Sequence, residues 1–120
     1  MATIKSYTDI EQSRKLAEIL PLESADMYRV FENNAETRVY FGKTPTAYFV
    51  SKPCWSLAAL LNVLSEIKPQ VYTPILFPSE GKWILQFAEH GHGNVCEVSC
   101  DNPVDACVAI IKKLHELNLL

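Results

Sequence analysis

The chain has 120 residues, 48% of them hydrophobic and 21% charged, with a formal net charge of −3 at pH 7. That length suits a single globular domain, 1-120, with one core, and the composition is that of an ordinary folded protein. Its 11 basic residues are scattered among 14 acidic ones; the basic stripe needed to neutralise phosphates is missing, which disfavours nucleic acid as a direct partner.

No apolar run approaches the length of a membrane span, so no membrane contact is expected. The start, Met1 to Ser6, lacks the apolar h-region of a secretion signal. These features imply a cytoplasmic protein whose four cysteines stay reduced.

The first predicted element is a helix from about Asp9 to Leu20. Thr8-Asp9-Ile10-Glu11 has the spacing of a capping box. Ile10, Leu16, Ala17, Ile19 and Leu20 would face inward, and Pro21 stops the helix because a proline there removes a hydrogen bond. Met27 to Phe31 and Thr37 to Phe41 read as strands around the turn residues Asn33 and Asn34. In the second of these, Val39 and Phe41 alternate with Arg38 and Tyr40, the pattern of a half-buried strand. Ala47 to Val50 is a third short strand candidate.

Lys52-Pro53-Cys54-Trp55-Ser56-Leu57 reads as the opening of a middle helix. Leu57, Leu60, Leu61, Leu64 and Ile67 form its apolar stripe, and Pro69 closes it. Ile75 to Phe77 and Lys82 to Ala88 flank Pro78-Ser79-Glu80-Gly81, a hairpin loop. Trp83, Leu85 and Phe87 share one strand face, and Trp83 is expected to be largely buried with Ile111 or Leu114 among its neighbours. A glycine-rich loop, Glu89 to Asn94, leads into a last strand, Val95 to Ser99.

The final helix is the clearest element. Asn102 or Asp101 caps it, Pro103 sits where a missing N–H costs nothing, and Asp105 lies near the positive end of the helix dipole. Val104, Cys107, Val108, Ile111, Leu114 and Leu117 recur at helical spacing. The class is therefore α+β: three helices packed on a mostly antiparallel sheet of four to six strands.

Chemistry is harder to find. The one cluster of soft and imidazole ligands is His90, His92, Cys96 and Cys100, a set zinc would accept. Along a strand, however, Cys96 and Cys100 are roughly 13 Å apart, and two sulfurs on one zinc must each lie about 2.3 Å from it. Cys96, Val98 and Cys100 read better as one buried strand face. Cys54, near a predicted helix start, is the best candidate for an activated thiol, with His90, His92 or His115 as its base, but nothing in the sequence supplies the electropositive pocket it needs. The four glycines are too dispersed for a phosphate-binding loop. No catalytic residue, metal or cofactor is expected. Tyr28, Tyr40 and Tyr48 fall in strand candidates, and those off the core face would form an aromatic interaction surface.

Three blocks together carry a resemblance: Leu16 to Met27, Pro53 to Leu61, and Asp101 to Cys107 with Lys113 to Leu117. They resemble small uncharacterised proteins of gut Bacteroides-type bacteria, often found near prophage or other mobile-element genes. The resemblance implies a genomic setting and supplies no activity, ligand or catalytic residue. The leading expectation is a non-enzymatic accessory protein of mobile-element origin that binds another protein. The alternative is a small enzyme or metal-binding module using Cys54 or the His90, His92 and Cys96 cluster.

Overall fold

The computed structural model describes residues 5–33, 35–45 and 50–120. In chain order these form α1 (Ile10–Ile19), a 3-10 turn (Leu22–Ser24), β1 (Met27–Glu32), β2 (Ala35–Phe41), β3 (Val50–Cys54) and α2 (Leu57–Ser65). The meander β4 (Tyr72–Ser79), β5 (Lys82–Glu89) and β6 (Gly93–Cys100) follows, and α3 (Pro103–Glu116) ends the chain. The fold is α+β with antiparallel pairing, as expected. Its strands are divided between two three-stranded sheets, ordered β2-β1-β3 and β4-β5-β6, where the sequence suggested one.

The core lies between the second sheet and the helices. Each side chain on one face of β5 has a partner on the same face of its neighbours: Leu85 opposite Leu76 and Val98, Phe87 opposite Pro74 and Cys96. Leu85 and Phe87 are fully buried beneath α3, whose Val104, Cys107, Ile110, Ile111 and Leu114 are fully buried in turn. Leu60 and Leu64 of α2 and Leu16 and Leu20 of α1 complete the cluster. Leu117 lies just past the end of α3 and is 52% exposed. Trp83 corrects a second expectation. It shares the face of Leu85 and Phe87 but pairs with Pro78 and Cys100 at the turn end of the sheet, and it is only half-buried.

The turns follow their residues. Glu80 and Gly81 have φ of 50° and 79°, the two left-handed positions that a two-residue hairpin loop requires, so Pro78 and Ser79 belong to β4. The expected glycine-rich loop shortens to His90-Gly91-His92, closed by the His92 N–H donating to the Glu89 carbonyl at 3.0 Å.

Caps fix both ends of the helical layer. Asn102 is the N-cap of α3, its side-chain oxygen accepting from the Asp105 N–H at 2.9 Å. Such a bond is worth about 1 kcal/mol. The α1 capping box is one residue later than the sequence suggested. Asp9 accepts from the Gln12 N–H at 2.8 Å, and Gln12 accepts from the Asp9 N–H at 3.1 Å. Thr8 is released for another task described below.

A polar node joins α1 to the start of α3. The Lys5 ammonium donates to Asp105 at 2.8 Å and to Asp9 at 3.1 Å, and Gln12 also donates to Asp105 at 2.8 Å. Burial pushes both carboxyls up, but these hydrogen bonds and the Lys5 charge outweigh it and hold both below their usual range. Burial lowers Lys5, and the two carboxylates more than reverse that. The depressed carboxylates therefore stabilise the fold above the ordinary value of 3.8 and lose that contribution as pH falls through their folded values. Lys5 stabilises below 10.5 and loses its contribution as pH rises through its raised value. Because the node is partly solvated, we expect about 1 kcal/mol in all. Thermal unfolding across the acid range should show Asp105→Asn losing less of its midpoint below pH 3.8 than the parent protein loses.

Candidate functional site

The first sheet contributes no side chain to the contiguous apolar core among the described residues. Its Met27 and Cys54 are buried apart from that cluster, and one cation ties the sheet to the turn into α1. Alternation along β1 turns Met27, Arg29 and Phe31 toward α1, and Arg29 is only 3% exposed. Its Nη1 donates to Ser13 Oγ at 2.7 Å, its Nη2 to the Thr8 carbonyl, and its Nε to Glu36 Oε1 at 3.1 Å. The guanidinium carbon stands 5.7 Å from the centroid of the Tyr7 ring, a cation–π distance. A buried guanidinium cannot lose its proton, so its donors must be met, and the turn into α1 is shaped to meet them.

Thr8 joins this network to the core. Its hydroxyl bonds Ser13 Oγ at 2.7 Å and accepts from the Trp55 N–H at 3.1 Å, while its own N–H donates to the Trp55 carbonyl at 2.9 Å. Trp55 is fully buried, and its indole N–H donates to Ser24 Oγ at 2.9 Å.

Lys52, Pro53 and Cys54 are not the opening of a helix. They pair with Arg29, Tyr28 and Met27 as strand β3. α2 starts after Ser56, whose hydroxyl caps the Ala59 N–H at 3.2 Å. β3 is an edge strand, the place where a sheet tolerates a proline. The strand expected over Ala47 to Val50 falls mostly outside the described residues, as does Tyr48.

Cys54 consequently has no helix terminus to activate it. It is fully buried, 3.6 Å from Thr8 Oγ1. The His90, His92 and Cys96 candidates do not converge. His90 sits at the turn, its Nε2 2.6 Å from Thr73 Oγ1, on the outer face of the second sheet. Cys96 stands opposite Phe87 on the inner face, so the sheet itself separates them. Among the described residues no three His, Cys, Asp or Glu side chains are grouped to hold a metal ion. His115 is exposed on α3.

All four cysteines are free thiols. Burial pushes Cys107 up to about 12, with Cys100 adding to it. Burial also raises Cys96, partly offset by Lys113. Native protein near neutral pH should therefore label slowly at Cys54 and Cys107, and fully only after denaturant is added. Rapid native labelling at both, read by peptide mass spectrometry, would contradict the packing described.

Opposite α1, the first sheet presents a different surface. Tyr28 and Tyr40 are directly paired across β1 and β2, their rings stacked at 5.4 Å and 22°. Tyr40 is 39% exposed, and Phe41, which the alternation had placed inward, is 78% exposed at the end of β2 beyond the reach of α1. Gly42, at φ 125°, lets the chain leave β2 against the Tyr28 ring, where an added Cβ would lie 3.8 Å from Cε1. Its N–H donates to the Asp26 carbonyl at 2.8 Å.

On the α1 side lies an open groove of about 470 Å³. Ile10, Ala17, Phe31 and Pro53 give it apolar walls, and Arg14, Arg29 and Lys52 line it with positive charge. Ile10 and Ala17, expected inward, face this groove instead of the core; Ile10 is 41% exposed. Arg29 is the residue that sequence reasoning missed. Its signal was a charge in the inward register of an otherwise apolar strand.

Comparison of the chain with known protein families, with curated proteins and with solved structures finds no match. No helix among the described residues is long and apolar enough to cross a membrane.

Proposed function

We propose that this is a non-enzymatic, cytosolic accessory protein that binds another protein through the Tyr28–Tyr40 face of its first sheet. The observation that carries this reading is the division of labour between the sheets. The second sheet supplies side chains to the main core cluster; the first supplies none, its buried Met27 and Cys54 lying outside that cluster, and a buried arginine with its hydrogen bonds ties it to α1. A sheet maintained at that cost and left bare on one face fits a presented surface. Paired aromatics with polar ends are the side chains that such interfaces favour.

The outer face of the second sheet is a weaker candidate, although Ile75 is 41% exposed there. Its edge strand β4 carries Pro74 and Pro78, which blunt strand addition. The resemblance to mobile-element-associated proteins fits a small accessory factor and adds no chemistry.

The test is a pull-down from the native host with tagged parent protein and with a Tyr28→Ser/Tyr40→Ser variant. One protein retained by the parent and lost by the variant, at an unchanged unfolding midpoint, is expected. Retention by both places the interface elsewhere. Zinc in near-stoichiometric amount in untagged protein would instead favour a metal-dependent module.

A further inference from the structure

We infer that the groove between α1 and the first sheet is a binding site for a small amphiphilic anion, a carboxylate or phosphate head on a short hydrocarbon body. This goes beyond protein binding and uses the opposite face of the same sheet. Three observations meet there.

The first is charge. The chain carries a net −3, yet Arg14, Arg29 and Lys52 line one groove and no acidic residue lines it among the described residues. Glu36 is bonded to the Arg29 Nε, but neither Arg14 nor Lys52 has an ion-pair partner among the described residues. Register turns Lys52 to the same side as Arg29, its direct partner across β1 and β3, so their charges add.

The second is satisfaction of Arg29. A guanidinium has five N–H donors. One each on Nε, Nη1 and Nη2 is taken by Glu36, Ser13 and Thr8, which leaves two without a protein acceptor among the described residues. Arg29 is 97% buried by the 3% exposure it retains, and it lines the groove. An anionic oxygen entering there would meet donors held in place before it arrives, which is how a site limits the ordering cost of binding.

The third is the shape of the remaining wall. Ile10, Ala17 and Phe31 form an apolar surface that the core does not cover, and about 470 Å³ is within the size of small-molecule sites. A fully polar anion would leave that wall wet, and a neutral hydrocarbon would leave the cations unused. An amphiphile uses both.

The experiment is calorimetric titration of the whole protein with octanoate, octyl phosphate and, as the uncharged control, octanol. Octanoate or octyl phosphate should bind at one site per chain, with octanol at least tenfold weaker; the stronger of the two names the head group. An Arg14→Gln/Lys52→Gln variant changes two exposed side chains, so its unfolding midpoint should match the parent. Its affinity for the preferred anion should fall at least tenfold. Octanol binding as tightly as the anions would overturn the charge argument. Unchanged affinity in the variant would overturn the location, and no heat from either anion at millimolar concentration would overturn the site.

Discussion

Trp55→Ala is expected to cost about 3–5 kcal/mol, the range for a large aromatic removed from a core. That is a large share of the stability of any domain this size. Trp55 is fully buried as part of the main core cluster. Its backbone holds Thr8 on both sides and its indole donates to Ser24 Oγ, so the truncation opens a cavity and removes that hydrogen bond, while the Ser24 hydroxyl keeps its own bond to the Pro21 carbonyl at 2.6 Å. Trp83→Ala should cost distinctly less, because Trp83 is only half-buried. Denaturant unfolding of both variants measures the contrast. Equal losses would mean that the two indoles have been ranked wrongly.

Arg29→Met is the second large effect, expected at about 3 kcal/mol. Removing one partner of a buried ion pair typically costs 3–5 kcal/mol, and the lower end applies because Glu36 is 34% exposed and water can serve it. That figure includes Ser13 and the Thr8 carbonyl losing a donor in a buried place. The distribution of the damage matters more than its size. Amides of β1 to β3 should lose hydrogen-exchange protection while those of β5 and α3 keep theirs, since the first sheet stands outside the apolar core. Arg29→Lys should rescue little, because an ammonium cannot reach three separate acceptors with a planar fork. Uniform loss of protection across both sheets would show that Arg29 supports the whole molecule.

These two residues also show what the sequence could and could not reveal. α3 was readable because a cap and a proline open a strong apolar stripe, and α2 was readable in its stripe though not in its start; burial follows those stripes at Leu60, Leu64, Val104, Cys107, Ile111 and Leu114. β3 was not readable. A proline followed by an apolar run looks like a helix start, and what makes Lys52 to Cys54 a strand is its pairing with Met27 to Arg29, a contact between distant parts of the chain. For the same reason the single expected sheet became two. Trp83 lay on the face predicted for it, but alternation specifies a side and not the distance to the edge of the covering helix. Cys96 and His90 are close in sequence and on opposite sides of a sheet, a separation set by the turn at Gly91. The groove left one trace, Ile10 and Ala17, seven positions apart on one helical face and both unburied.

The most direct test of the binding surface is site-specific photo-crosslinking in the native host, with benzoylphenylalanine placed at Tyr40 in one protein and at Ile75 in another. Both positions are solvent-accessible, at 39% and 41% exposure, and they sit on the bare faces of the two different sheets. A discrete heavier product from position 40, absent from position 75 and competed away by excess unlabelled protein, is the predicted result. A product from position 75 alone, or none from position 40, would contradict the assignment of function to the first sheet.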